Sequence, residues 1–355
     1  MAKASTATST AITSTIPATM RALVLHAYDL GSYGSLTLEE RPTPHPGKGE
    51  VLVRMAASPI NPSDLAALQG AHGGNKALPT IPGLEGSGTV VRAGRGYLAR
   101  RLLGKRVACA AGEGDGAWAE YMVTSARFCS PLPSDFSDEQ GAVRIVNPYT
   151  AWAHLQIARQ AGAHAIIETA AAGALGQMVN QLAQRRGVRV LNIVRREAQA
   201  ETLRGLGAKH ILNSEAPDFD DQLREQCQRL GVRLAFDAVA GSMTARLLAA
   251  LPPHGRVVVF GALAEFYSGE TINMGASDLI FNEKRIEGFY LPLWVAQQKP
   301  LALLSMQRQL YRLGDLTQEA IQVRAPLEDA QQAIAAYEAN MSAGKALLMP
   351  GKLPG

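Results

Sequence analysis

The chain has 355 residues, 47% of them hydrophobic and 19% charged, with a net charge of +4 from 35 basic and 31 acidic side chains. That length suggests about two domains with sizeable cores; so mild a charge makes no case for nucleic acid, though it permits an anionic small substrate. Cys109, Cys129 and Cys227 form neither a disulfide framework nor a CxxC pair, which points to a reducing compartment, expected to be the cytoplasm, and no apolar run of about 18 residues could span a membrane.

Residues 1–19 are rich in Ser, Thr and Ala, contain no acid and have Lys3 as their only base. A transit peptide should be arginine-rich. The stretch is therefore expected to be a disordered tail, or an extension upstream of a second start at Met20. From Met20, residues 21–26, 36–40, 51–56, 86–92, 106–110 and 118–124 read as short strands, with Pro42, Pro44, Pro46 and many glycines at the turns. That text predicts a compact β-rich domain. Arg92, Arg95, Arg100, Arg101, Lys105 and Arg106 read most plainly as a solvated face. An acidic carrier protein or coenzyme phosphates are the alternative partners for them.

A helical pattern begins near Asp138. After Gly162, strand and helix alternate: strands at 165–167, 188–194, 210–212, 234–239 and 256–260, helices such as 199–206 and 219–230. Residues 284–290 supply a sixth strand. Alternation of this kind predicts an α/β protein with a doubly wound parallel sheet. From Val295 the chain reads as helical to about Gly314, then mixed. The expected domains are 20–145 with 291–355, and an inserted 146–290. A cleft between them, at the carboxyl ends of the parallel strands, is the expected reaction site.

The most informative stretch is 165–196, which reads strand, glycine turn, helix, strand and two arginines. Ala171-x-Gly173-x-x-Gly176 opens a helix carrying Leu175, Met178, Val179, Leu182 and Ala183 at helical spacing. Small residues let the backbone approach a pyrophosphate and let the helix pack on the sheet. Free N–H groups at the helix start then bind the anion. Where an NAD site would carry an acid for the ribose hydroxyls, this chain has Arg195 and Arg196. Arginine suits a 2′-phosphate, so the expected cofactor is NADPH. An alanine-rich helix start and a solvated strand end are the plainer alternatives.

These motifs, with GEVLVRMAASPINPSDL (49–65), PGLEGSGTVV (82–91), VNPYTAW (146–152), NIVRR (192–196) and GFYLPLW (288–294), resemble the medium-chain dehydrogenase/reductase superfamily from Met20 onward. The likeness is greatest to its zinc-independent branch of quinone oxidoreductases and trans-2-enoyl thioester reductases. The resemblance implies a GroES-like β-rich catalytic domain plus a Rossmann domain binding NADPH. It implies hydride transfer to the polarised C=C of an enoyl thioester or enone. Quinone reduction, or a non-catalytic NADPH-binding role, are the alternatives. A catalytic zinc of this superfamily needs a cysteine near Asn61 and a histidine at Leu84, and Cys109 and Cys129 stand alone where a structural zinc needs four close thiolates, so no metal is expected.

The resemblance also implies site residues. His72 stands where the enoyl reductases carry a tyrosine donor; it could replace that phenol, or be a solvated loop histidine. Asn61 orients the nicotinamide or a substrate carbonyl, or is a turn residue before Pro62. Asp64 reads as a cap and Glu85 as a structural hydrogen-bond partner. Asn147 would contact the nicotinamide half, and Ala172, Gly173, Ala174, Leu175 and Gly176 the pyrophosphate. Phe260, Gly261, Ala262 and Leu263 would pass the adenosine or nicotinamide side. Phe289, Tyr290 and Leu291 would line the nicotinamide cleft with Trp294 beside the substrate, and Lys345 would face the cofactor. Core packing and solvated charge are the plainer alternatives. Residues 284–290 could be a sheet edge, and pairing two such edges would make a homodimer.

Overall fold

The computed structural model describes residues 16–28, 33, 35–71, 76–314 and 320–351. In chain order the elements of the first part are β1 (Thr19–Leu25), β2 (Leu36–Pro42), β3 (Glu50–Ile60), α1 (Pro62–Leu68), β4 (Glu85–Ala93), α2 (Tyr97–Leu102), β5 (Arg106–Ala110), β6 (Tyr121–Ser125), β7 (Cys129–Pro131) and α3 (Asp138–Ala142). The middle carries α4 (Val146–Gln160), β8 (Ala165–Glu168), α5 (Ala174–Arg185), β9 (Arg189–Val194), α6 (Glu197–Gly205), β10 (His210–Asn213), α7 (Phe219–Leu230), β11 (Leu234–Asp237), α8 (Gly241–Ala250), β12 (Arg256–Val259), α9 (Leu263–Ser268), α10 (Ser277–Phe281) and β13 (Arg285–Gly288). The last part has α11 (Leu291–Ala296), α12 (Pro300–Arg312), β14 (Ile321–Ala325), α13 (Ala330–Ala339) and β15 (Lys345–Leu348).

Both chain ends build one sheet, ordered β14-β15-β3-β4-β5-β7, with β6 also on β3. The eleven-residue β3 organises it, pairing antiparallel with β4, β6 and β15. Two expectations shift. The first strand already includes Thr19, which pairs with Pro42, and the Ala18 carbonyl accepts from Thr43 N at 2.9 Å. Ordered structure therefore starts before Met20, while residues 1–15 lie outside the described part. The strand expected at 118–124 begins at Tyr121, because Trp118 and Ala119 turn to β1 instead: Leu23 N donates to Trp118 O at 2.9 Å, and Ala22 bridges Ala119.

The middle builds the doubly wound parallel sheet that the alternation predicts, in the order β10-β9-β8-β11-β12-β13. All five of its pairings are parallel. Strands covered on both faces read as continuous apolar runs rather than alternations. All four residues of β8 and of β11 are buried accordingly. On one face, α5 packs Met178, Val179, Leu182 and Ala183 against Ala151 and Leu155 of α4 and against Ile166. On the other, α7 buries Phe219, Leu223, Cys227 and Leu230 with Leu247 and Leu248 of α8. Each such side chain contributes about 1.5–3 kcal/mol when fully buried. Strand order reverses between β8 and β11, which opens a crevice at their carboxyl ends.

Candidate active site

The crevice at the reversal is shaped by backbone first. Ala170 follows β8 with φ +48°, and Ala240 follows β11 with φ +62°. Alanine in that region is strained, and such strain persists where surrounding structure holds it. Here a buried network does so. Thr169 Oγ1 donates to Asp237 Oδ1 at 2.9 Å and accepts from Ala238 N at 2.8 Å. Thr244 Oγ1 donates to Asp237 Oδ2 at 2.6 Å. Burial pushes the Asp237 carboxyl above its ordinary pKa, against the pull of these hydrogen bonds. The ends of β8 and β11 are thereby tied together at the crevice floor.

The glycine turn sits on this floor. Gly173 N donates to Ala170 O at 2.9 Å, and Gly173 N-caps α5 with no side chain bonded to the first helical N–H groups. Ala172 is buried beneath the turn, while Gly173, Ala174 and Leu175 are half-buried. A Cβ on Gly173 would meet only Ala170 O, at 3.2 Å, whereas one on Gly176 would lie 2.4 Å from Ala171 O. Gly176 thus lets α5 sit against the turn, and Gly173 leaves open the space above it. An uncapped helix start under an open cradle fits a pyrophosphate.

Arg195 and Arg196 follow β9, whose partner on the inner side is β8. Both are exposed, and neither forms an ion pair among the described residues. Gln199 Oε1 accepts from Arg195 N at 3.1 Å and Arg196 N at 3.2 Å, which fixes the turn that presents them. Phe260 and Gly261 are half-buried after β12, Ala262 is exposed, and Leu263 opens α9. Gly261 comes so close to β11 that a Cβ would lie 2.7 Å from Ala238 O.

Phe260 and Phe289 share a neighbour that sequence reasoning missed. His154 of α4 is fully buried and stacks on Phe236, with ring centroids 4.0 Å apart. Phe260 and Phe289 meet its ring edge-on, at 4.6 and 5.6 Å. Glu168, also fully buried, lies 3.4 Å from His154 Nδ1, and burial raises its pKa. Leu291 and Trp294 pack with Ile145, Tyr149 and Trp152 at the start of α4, and Tyr290 is 41% exposed. Asn147 is half-buried in the first turn of α4.

A second network approaches α4 from the antiparallel sheet. Asn61 follows β3, and antiparallel pairing of Ile60 with Ala346 brings Lys345 beside it. Lys345 is 2% exposed, and its Nζ donates to Asn61 Oδ1. Asn61 Nδ2 donates to Glu85 Oε1 at 3.1 Å. Lysine can only donate and a carboxylate can only accept, so the amide orientation is dictated. Glu85 Oε2 then accepts from Ile145 N and Val146 N, both at 3.0 Å. One carboxylate therefore joins Asn61 to the start of α4. Asp64 is the expected cap: it accepts from Asn61 N and Leu84 N, each at 2.8 Å. Burial raises its pKa to about 6, opposed by those two hydrogen bonds and by the charge of Lys345.

The structure thus brings Asn61 and Lys345 together, places Asn147 in the helix turn that Glu85 anchors, and gathers the glycine turn at the strand reversal. His72 lies outside the described residues. Among the described residues no group of three or more His, Cys, Asp or Glu side chains could hold a metal ion. Asn61 is committed to Lys345 and Glu85, and Leu84 offers no ligand atom.

Comparison with known proteins agrees with this geometry. Residues 47–134 match the alcohol dehydrogenase GroES-like domain, and residues 174–305 match the zinc-binding dehydrogenase family. A mitochondrial enoyl-[acyl-carrier-protein] reductase of Bos taurus is 33% identical over 294 residues, covering 80% of this chain and 76% of that protein. A putative NADPH:quinone reductase from Mesorhizobium loti has 34% identity and a TM-score of 0.87, covering 95% of this chain and all of that one. A mycobacterial protein solved with NADPH has 25% identity and a TM-score of 0.79, over 93% and 100% of the two chains. By these measures and by its two-sheet architecture, the chain belongs to the medium-chain dehydrogenase/reductase superfamily.

Proposed function

We propose that the chain is an NADPH-dependent, zinc-independent reductase of the polarised C=C in an α,β-unsaturated thioester or ketone. The observation that carries this reading is the commitment of Asn61, Lys345 and Glu85 to one another. This is a hydrogen-bonding set and not a metal-ligating one, and Glu85 joins it to Ile145 and Val146 at the start of α4. When bound, NADPH supplies the hydride for the substrate β-carbon. The uncapped start of α5 holds the pyrophosphate, and Arg195 and Arg196 hold the 2′-phosphate. Phe260 and Phe289, held by His154, line the nicotinamide side, and Asn147 orients the amide.

Negative charge then develops on the substrate carbonyl oxygen. Lys345 and Glu85 fix the orientation of the Asn61 amide, so that its Nδ2 group is the donor that shares a hydrogen bond with that oxygen. His72 donates the second hydrogen bond or the proton. Leu291 lines the nicotinamide cleft with Phe289 and Tyr290, and Trp294 gives the acyl chain an apolar wall. Likeness to the Mesorhizobium loti structure favours quinone reduction as a second reading. NADPH absorbance read against a panel of enoyl thioesters, enones and quinones separates the two. Turnover of an enoyl thioester that survives EDTA supports the first reading, and turnover abolished by EDTA refutes the metal-free route. His72→Ala with unchanged turnover removes His72 from the mechanism.

Further parts of the reading concern assembly and place. We take residues 20–145 with 291–355 as the catalytic domain and 146–290 as the nucleotide domain, meeting where Glu85 holds Ile145 and Val146. Limited proteolysis that releases 146–290 whole supports that division, and scattered cleavage opposes it. β13 is the last strand in its sheet, and Ile280, Phe281, Leu293 and Leu301, on the helices before and after it in the chain, are exposed. Bare edges and apolar faces favour covering, so a homodimer is the assembly proposed; a monomer mass by light scattering overturns it. Three buried, free cysteines fit the cytoplasm, and no helix among the described residues is long and apolar enough to cross a membrane. Fractionation with mitochondria, where the bovine relative's name places that protein, would contradict the cytoplasmic assignment.

A further inference from the structure

The edge of the parallel sheet opposite the nucleotide turn has a pattern of its own. Three strands open on arginine: β9 on Arg189, β12 on Arg256 and β13 on Arg285. Arg233 immediately precedes β11, His164 precedes β8, and His254 stands two residues before β12. All six line one cleft of about 540 Å³. Arg256 and Arg285 are register partners on adjacent strands, about 4.8 Å apart. Like charges placed directly opposite one another are destabilising.

Local partners relieve this only in part. Glu287 pairs with Arg256, and Glu283 lies 3.3 Å from His254. Arg189 donates to Leu230 O at 3.0 Å, and Arg233 to Pro253 O at 3.4 Å. Cations at helix C-terminal carbonyls are ordinary, which accounts for Arg189. It does not account for Arg285, which has no ion pair among the described residues. Nor does it account for Nε of Arg256, buried with no hydrogen-bond partner. The crowding of positive charge reaches His210, which burial and then Arg229, Arg189 and Lys209 hold below its ordinary pKa.

We propose that this cleft binds a compact, multiply charged phosphoryl anion, gripped by the guanidinium groups of Arg233, Arg256 and Arg285. Guanidinium forks match phosphate oxygens bidentately. A concave cationic pocket focuses potential on a small ion. The site lies at the amino ends of the strands whose carboxyl ends carry the dinucleotide crevice, so it stands independently of the cofactor reading.

The test is calorimetric titration of the full chain with inorganic tripolyphosphate, with adenosine triphosphate run alongside to separate a nucleotide source from an inorganic one. The parent should bind saturably, and more weakly as salt rises. Arg233→Gln/Arg256→Gln should weaken binding about tenfold or more. Arg285→Gln, whose exposed side chain caps no carbonyl, should do the same if the double variant fails to fold. Saturating NADPH, which occupies the dinucleotide crevice, should leave this binding unchanged. No saturable binding by the parent, or undiminished binding by Arg285→Gln, overturns the proposal. So does displacement by NADPH, which would put the anion in the dinucleotide crevice. Capture of an acidic polypeptide without any small anion overturns it as well.

Discussion

Gly173 and Gly176 stand three residues apart in one turn, and alanine at each should fail in a different way. At 176 the added Cβ would lie 2.4 Å from Ala171 O, 2.5 Å from its Cα and 2.7 Å from its carbonyl carbon. All three are backbone atoms of the turn, so no side chain can swing aside. Ordinary contacts lie at about 3.5–4.0 Å, which requires α5 to move by roughly 1 Å. Overpacking of this kind costs about 1–3 kcal/mol, and the better helix propensity of alanine returns about 1 kcal/mol. A net loss of about 1 kcal/mol, and at most about 2 kcal/mol, is expected for Gly176→Ala in urea unfolding. At 173 the backbone is ordinary, with φ −69° and ψ 166°, and only Ala170 O lies within reach, at 3.2 Å. Gly173→Ala should change stability by less than about 0.5 kcal/mol. Its methyl group nevertheless enters the space where the pyrophosphate approaches, so NADPH affinity should fall, as read by nucleotide fluorescence. If Gly173→Ala binds NADPH like the parent, or Gly176→Ala is as stable as the parent, the assignment of the turn is wrong.

Arg195→Ala/Arg196→Ala should lower affinity for NADPH by about 1.5–3 kcal/mol per lost charge-assisted bond, with NADH affinity and melting temperature little changed; an equal loss for both nucleotides contradicts the phosphate role. Glu85→Gln leaves one acceptor oxygen where the carboxylate now serves Asn61, Ile145 and Val146. A loss of about 2–3 kcal/mol in stability is expected, with turnover reduced because Asn61 is freed; unchanged values would show that the bridge is idle. The Asp64 carboxyl moves from 3.8 to about 6 on folding. Between those pH values the folded chain keeps a proton that the unfolded chain has released, so this group's contribution falls as pH rises, and is level above about 6. Two units correspond to roughly 3 kcal/mol. Urea unfolding should therefore show the parent losing ground to Asp64→Asn between pH 4 and pH 6, and a constant difference would refute the shift.

The parallel sheet was legible because its strands are covered on both faces and its helices bury a regular stripe, so periodicity carried the signal. The place of the glycine turn between β8 and α5, and of Arg195 and Arg196 after β9, was legible because that pattern is local in the chain. Strand order was not, since nothing along the chain states which strand lies beside β8. The Asn61–Glu85–Lys345 network was missed as a unit because its members come from three separate strand regions, joined only when β15 pairs with β3. A signal did exist: Glu85 and Lys345 are charges set among glycine and apolar residues, and a charge in such a run must find a partner when buried. His154 and Glu168 carried the same hint. The arginine row was invisible for a different reason: each member looks like an ordinary polar strand start until parallel pairing aligns them.

Isotope transfer tests the central claim most directly. NADPH carrying deuterium at the transferable C4 position should be oxidised by a short enoyl thioester in the presence of EDTA. The saturated product should carry one deuterium, at the β-carbon, by mass spectrometry and NMR. NADPH oxidation that yields no deuterated saturated thioester, or transfer that requires added zinc, would contradict it.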